Sequence, residues 1–188
     1  MSEDPLFVQR FDICGRDFLN AGKASTTVKA ILRDVGIHPA VIRRAAIAAY
    51  EAEMNVVLYA RKGTMELRVT PKDIRITVED EGDGIADMEL AMQEGYSTAP
   101  DEIREMGFGA GMGLPNIKKN ADSFAIDSVV GKGTTLEIVI RPKYGTVLPF
   151  RRDRAGALPR PHGLHAGLPN AGHPGAARHG RDPRGPLH

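Results

Sequence analysis

Residues 6 to 13, LFVQRFDI, alternate apolar and polar positions well enough to predict a β-strand, and Arg16 to Ala21 reads as the turn that follows it. From Ala24 to Val35 the period becomes helical. Val28, Ile31, Leu32 and Val35 share one face, Ser25 or Thr26 is available as an N-cap, and Gly36 ends the segment, which should cover a sheet. Pro39 suits the first turn of a longer helix running to about Ala60. Its apolar surface is Val41, Ile42, Ala45, Ala49, Val56 and Leu58, with Gly63 expected as the stop.

Two β-branched alternating runs follow, Met65 to Thr70 and Ile74 to Asp80, joined by Pro71-Lys72-Asp73, and they predict an antiparallel hairpin. A short helix is expected from Asp87 to Glu94. The polar connection Gly95-Tyr96-Ser97-Thr98-Ala99-Pro100 suits a lid, with Ser97 and Thr98 as lid polar residues rather than nucleophiles. Pro115 to Ala121 reads as a further helix, Ser123 to Val130 as a strand, Gly131-Lys132-Gly133-Thr134 as a tight turn, and Thr135 to Arg141 as the last strand. These elements predict an α+β protein with its helices on one face of a sheet.

Composition changes this picture at one end. The chain has 188 residues, 41% of them hydrophobic, enough for one domain with a core. From Pro142 the character shifts, and Arg151 to His188 carries seven Arg against two Asp, five of the six histidines and no aromatic residue. Such a segment buries too little apolar surface to offset chain entropy, so residues 1–145 are expected to fold and residues 146–188 to be a disordered tail. The net charge of +1 gives no prior for nucleic acid, and the absence of a long apolar run or a basic leader leads us to expect a cytosolic protein outside the membrane. A lone cysteine, Cys14, excludes an internal disulfide and is expected to be a small buried residue in a strand.

The candidate chemistry lies in four islands. Met106 to Leu114, MGFGAGMGL, places Gly107, Gly109, Gly111 and Gly113 at alternate positions and runs into a helix, so its backbone N–H groups could wrap an anion. Glu51 and Asn55 stand four residues apart on the long helix and so converge on one point. Asp80-x-Gly82-x-Gly84 follows a strand end, where open sheets bind ligands, and Gly131-x-Gly133-Thr134 is the fourth. Glu53 points about 160° away from the Glu51 and Asn55 face and carries no expected role.

In this order and spacing the islands resemble the N, G1, G2 and G3 boxes of the GHKL ATPase superfamily, the Bergerat ATP-binding fold. The likeness covers about residues 20 to 141 and is closest to the anti-sigma-factor and switch serine-protein kinases of Gram-positive bacteria. It implies a two-layer α/β sandwich with a mixed, mostly antiparallel sheet, and an ATP and Mg²⁺ site. By that resemblance Asn55 would hold Mg²⁺ and Glu51 would be the general base. Asp80 would accept from the adenine amino group, Gly82 and Gly84 would pass under the base, and Thr134 would back Asp80 through a water. Gly107, Gly109, Gly111 and Gly113 would form the lid, with Arg104 either reaching the γ-phosphate or facing solvent. Lys118 and Lys119 are expected to be solvent-exposed. Implied partners are a STAS-type antagonist protein or a sigma factor, with no direct nucleic acid and a homodimer allowed. The activity would be serine/threonine phosphorylation or, alternatively, nucleotide-dependent holding of a partner without catalysis. No phosphoacceptor domain is in view, and His38, the one histidine before the tail, sits beside Pro39 at the start of a helix.

Overall fold

The computed structural model describes residues 5–142, and the expected tail lies outside them. The elements run β1 (Phe7–Cys14), α1 (Lys23–Asp34), α2 (Pro39–Tyr59), β2 (Ala60–Val69), β3 (Ile74–Gly82), α3 (Met88–Ala91), α4 (Asp101–Glu105), α5 (Gly113–Asn120), β4 (Ser123–Val129) and β5 (Gly133–Ile140). The sheet order is β1-β2-β3-β5-β4. Every neighbouring pair is antiparallel, so the mixed sheet implied by the resemblance is fully antiparallel here.

Register explains where the core sits. Met65 pairs Val78, Leu67 pairs Ile76 and Val69 pairs Ile74. On the next ladder Val78 pairs Leu136, Ile76 pairs Ile138 and Ile74 pairs Ile140. Side chains that alternate with period two are thereby stacked in rows on one face, all of them buried. Fully burying a Leu or Ile stabilises by about 1.5–3 kcal/mol relative to leaving it exposed. The opposite face is polar: Arg10 Nε meets Glu66 at 3.0 Å, and Arg75 pairs with Glu137. The Arg10 hydrogen bond holds the Glu66 carboxyl below its usual range.

Helix α2 is the central strut. Pro39 opens it and His38 caps it, its Nδ1 accepting the Ala40 N–H at 3.2 Å. Ala45, Ala48, Ala49 and Ala52 are at most 1% exposed, and these small side chains let α1 and α5 pack close against it. Four features differ from the sequence expectation. Neither Ser25 nor Thr26 caps α1; Gly22 is the N-cap, and the Glu53 carboxylate of α2 accepts the N–H groups of Gly22, Ala24 and Ser25 at 3.0, 3.1 and 2.9 Å. Glu53, far from idle, is 2% exposed and stabilises the positive end of another helix. Gly63 does not stop α2, which turns extended at Ala60; it lies within β2, opposite Asp80. Cys14 is exposed, because Ile13 takes the buried side of β1 and the next residue must face the other way.

Candidate active site

One half of the site is carried by α2 and α5. Glu51 and Asn55 lie on one stripe of α2 as the four-residue spacing requires, and Gly113 at the start of α5 comes opposite both. A β-carbon placed on Gly113 would stand 3.1 Å from Asn55 Oδ1 and 3.7 Å from Glu51 Oε2. Glycine therefore lets the backbone at the start of α5 come close to the amide and the carboxylate. Helix α5 has no side-chain cap at its N-terminus, so the N–H groups of its first turn take no side-chain acceptor there.

The glycine run before α5 is built for turning. Gly107, Gly109 and Gly111 have φ of 87°, 71° and 73°, in the left-handed region that disfavours side chains. Backbone bonds tie the run to the preceding loop, Gly95 N to Gly111 O at 3.0 Å and Phe108 N to Ile103 O at 3.1 Å. The Phe108 ring stacks on Phe18 with centroids 5.8 Å apart. At the start of the lid Tyr59 Oη and Ser97 Oγ are 3.2 Å apart, and Ser97 Oγ also accepts the Ala99 N–H at 3.1 Å. Ser97 is thus a lid polar residue. Arg104 is exposed and donates to the Ser97 carbonyl at 2.8 Å, bracing the loop. Lys118 and Lys119 are exposed as expected.

The other half sits on the sheet. Asp80 is half-buried near the end of β3. Its Oδ1 accepts the Gly82 N–H at 2.8 Å and the Thr134 N–H at 3.3 Å. Both donors converge on one oxygen, and no hydrogen bond from the described residues reaches Oδ2. That oxygen keeps its acceptor capacity. Burial pushes the Asp80 carboxyl above its usual range, against the opposing pull of the Gly82 and Thr134 N–H groups. Thr134 acts on Asp80 through its backbone, while its hydroxyl lies 2.9 Å from Ser128 Oγ. Ser128 Oγ also accepts the Ile85 N–H at 2.8 Å and donates to the Gly133 carbonyl at 3.2 Å. A side chain at Gly133 would overlap the Asp80 carbonyl, so glycine is required for β5 to approach β3 this closely.

Gly63 joins the halves. A β-carbon there would stand 2.9 Å from Val56 Cγ1 and 3.2 Å from Asp80 Cβ, so its absence lets α2 settle against the sheet beside Asp80.

The ten residues expected from sequence thus fall into two groups: Glu51, Asn55, Gly107, Gly109, Gly111 and Gly113 at one end, Asp80, Gly82, Gly84 and Thr134 at the other. Three contributors escaped the sequence reading. Ser128 carries no motif, Glu53 was discounted on helical geometry alone, and Asn116 donates from Nδ2 to Glu51 Oε1 at 2.7 Å across 65 residues of chain.

Residues 19–140 match the family described as histidine kinase-like ATPase domain. The chain is similar to the serine/threonine-protein kinase RsbT of Bacillus subtilis, 31% identical over 113 residues, or 58% of this chain and 79% of that protein. It is also similar to the anti-sigma F factor of Caldanaerobacter subterraneus, 35% identical over 96 residues, or 48% of this chain and 64% of that protein. The anti-sigma F factor of Clostridium acetobutylicum is 31% identical over 106 residues, covering 54% of this chain and 69% of its own length. With the match spanning the helices, the glycine run and the Asp80 to Thr134 corner, the chain belongs to the histidine kinase-like ATPase domain family.

Proposed function

We propose that this domain is an ATP-dependent serine/threonine-protein kinase of the anti-sigma regulatory type. It would phosphorylate, or hold, a small regulatory partner such as a STAS-type antagonist or a sigma factor. The observation that carries the reading is that the start of α5, which has no side-chain cap, comes opposite Glu51 and Asn55, a β-carbon on Gly113 standing 3.7 Å from Glu51 Oε2 and 3.1 Å from Asn55 Oδ1. The names of the relatives, a serine/threonine-protein kinase and anti-sigma F factors, support the same class of activity.

Each residue then has a task set by its chemistry. Asp80 Oδ2 accepts from the adenine amino group, while Oδ1 is already committed to Gly82 and Thr134. The N–H groups of the glycine run and of the first turn of α5 donate to the phosphates. The residues fit a hard cation: Asn55 Oδ1 is a neutral oxygen ligand beside the phosphate space, suited to Mg²⁺, an ion that keeps most of its ligands as phosphate oxygens and water. When bound there, Mg²⁺ would offset the charge that develops on the transferring phosphoryl group. Glu51 takes the proton of the partner's Ser or Thr hydroxyl. As that oxygen bonds to the γ-phosphorus, the bridging bond to ADP breaks and ADP leaves with its electron pair.

A Glu51→Gln variant tests this. It should bind Mg·ATP with wild-type affinity by calorimetry yet transfer radiolabelled γ-phosphate to the antagonist about 10²–10⁴-fold more slowly. Transfer at the wild-type rate would remove Glu51 as the base. Full regulatory activity in the variant without transfer would instead favour partner holding as the working function.

A further inference from the structure

Asn116 lies outside every motif in the sequence, yet among the described residues it is the side chain that hydrogen-bonds Glu51. Its Nδ2 donates to Glu51 Oε1 at 2.7 Å, and only the NH₂ end of an amide can face a carboxylate in this way. The amide carries no charge, so it fixes the direction of the carboxylate without neutralising it as Lys or Arg would.

The platform under Asn116 is rigid. Ile117, its neighbour in α5, is fully buried. Arg44 Nε donates to the Asn120 carbonyl at 3.1 Å, and Arg44 Nη2 pairs with Asp122 at 3.0 Å, both ends of that pair being largely buried. Asn120 Nδ2 in turn donates to the Asn116 carbonyl at 2.9 Å. The contacts form an antiparallel ladder between α2 and α5: Arg44 with Asn120, Glu51 with Asn116, Asn55 with Gly113. Asn116 therefore stands on the side of the glycine run that these contacts anchor to α2. With Oε1 held, the oxygen turned toward Gly113 is Oε2.

From this geometry we infer that Asn116 is a positioning residue for phosphoryl transfer, holding Glu51 so that Oε2 is the atom that receives the proton of the attacking hydroxyl. This rests on the kinase reading above. The step is the one already written, with the proton delivered to Oε2 as the new oxygen–phosphorus bond forms and the bond to ADP breaks.

The test uses the full chain with Asn116→Ala and Asn116→Asp, measuring phosphoryl release from Mg·ATP to the antagonist or to water, ADP affinity by calorimetry, and thermal unfolding. A fall in kcat of about 10- to 100-fold is expected in Asn116→Ala, with the KM for ATP and the ADP affinity unchanged. Asn116→Asp should fall further although its shape is nearly the same, because an acceptor replaces the donor. Should Asn116→Asp fail to fold, the kcat and KM of Asn116→Ala still decide. A raised KM with kcat intact would make Asn116 a tie between helices and overturn the inference. Wild-type kcat in both variants, beside an inactive Glu51→Gln, would overturn it while leaving the kinase reading in place. A Glu51→Gln protein as active as wild type, or a wild type that binds Mg·ATP and turns over none of it, would remove the kinase reading and this inference together.

Discussion

Around Asp80 the polar groups are tied together across hydrogen-bonded strands, whereas from Gly95 to Gly111 the chain is carried by one helix of five residues and by glycines with positive φ. The Asp80 corner gathers Gly82, Thr134, Ser128, Gly133 and Ile85 into one network across β3, β4 and β5. The lid is fastened at a few points: Tyr59 to Ser97, Gly95 to Gly111, Phe18 against Phe108. The difference teaches how one small domain can both recognise and release a nucleotide. On the proposed reading Asp80 would meet the base, an acceptor that needs fixed geometry, and strand ladders supply it. A phosphate cradle must open and close, and a loop with few buried contacts opens locally without unfolding the sheet.

The largest test of this contrast is to add a methyl group on each side. Gly133→Ala drives a β-carbon into the Asp80 carbonyl at φ 128° and should cost about 2–4 kcal/mol, seen as a large drop in the urea midpoint together with loss of nucleotide binding. Similar stability of the variant and the wild type would show that the corner is softer than its packing indicates.

Next in size is Asp80→Asn. Replacing a charged acceptor by an amide should weaken ATP binding by about 1.5–3 kcal/mol, roughly 10- to 150-fold, by calorimetry. Its pH dependence sharpens the point. The raised pKa means that Asp80 gains its proton at higher pH than an ordinary carboxylate, so ATP affinity should decline on acidification earlier in wild type than in Asp80→Asn. For the unliganded fold the sign is reversed. A raised carboxyl contributes stability that is present below its unfolded pKa and lost as pH rises through the folded value, so near neutrality the ionised Asp80 weakens the fold it equips for binding. Thermal unfolding should accordingly find Asp80→Asn slightly more stable than wild type at neutral pH.

Smaller still is Gly107→Ala, at φ 87° with no atom within 4 Å of the new β-carbon. Left-handed strain of about 1–2 kcal/mol should fall on the lid alone, raising the KM for ATP with little change in the global unfolding midpoint. A global loss as large as that of Gly133→Ala would erase the distinction between corner and lid. The smallest effect is expected from removing residues 146–188, which should leave ATP affinity unchanged; a marked loss would assign the tail a part in the site.

Much of the site was legible because its parts are local. Glu51 and Asn55 share a face by helical spacing, and Asp80, Gly82 and Gly84 share a strand end by adjacency. The unexpected features are long-range pairings. Asn116 reaches Glu51 across 65 residues and Glu53 reaches Ser25 across 28, distances over which no periodicity carries information. Cys14 was read by residue type alone, although the alternation through Ile13 already pointed it outward.

By itself the amino-acid order determined the elements, the helix and strand faces and the islands of glycine and carboxylate, because each depends on neighbours within a turn or a strand. Only the folded chain decided that Gly63 admits α2 beside Asp80, that the Gly82 and Thr134 N–H groups both reach Asp80 Oδ1, and that Asn116 faces Glu51. Those facts depend on how separate layers meet. Close packing, rather than local propensity, sets which atoms approach within hydrogen-bond reach.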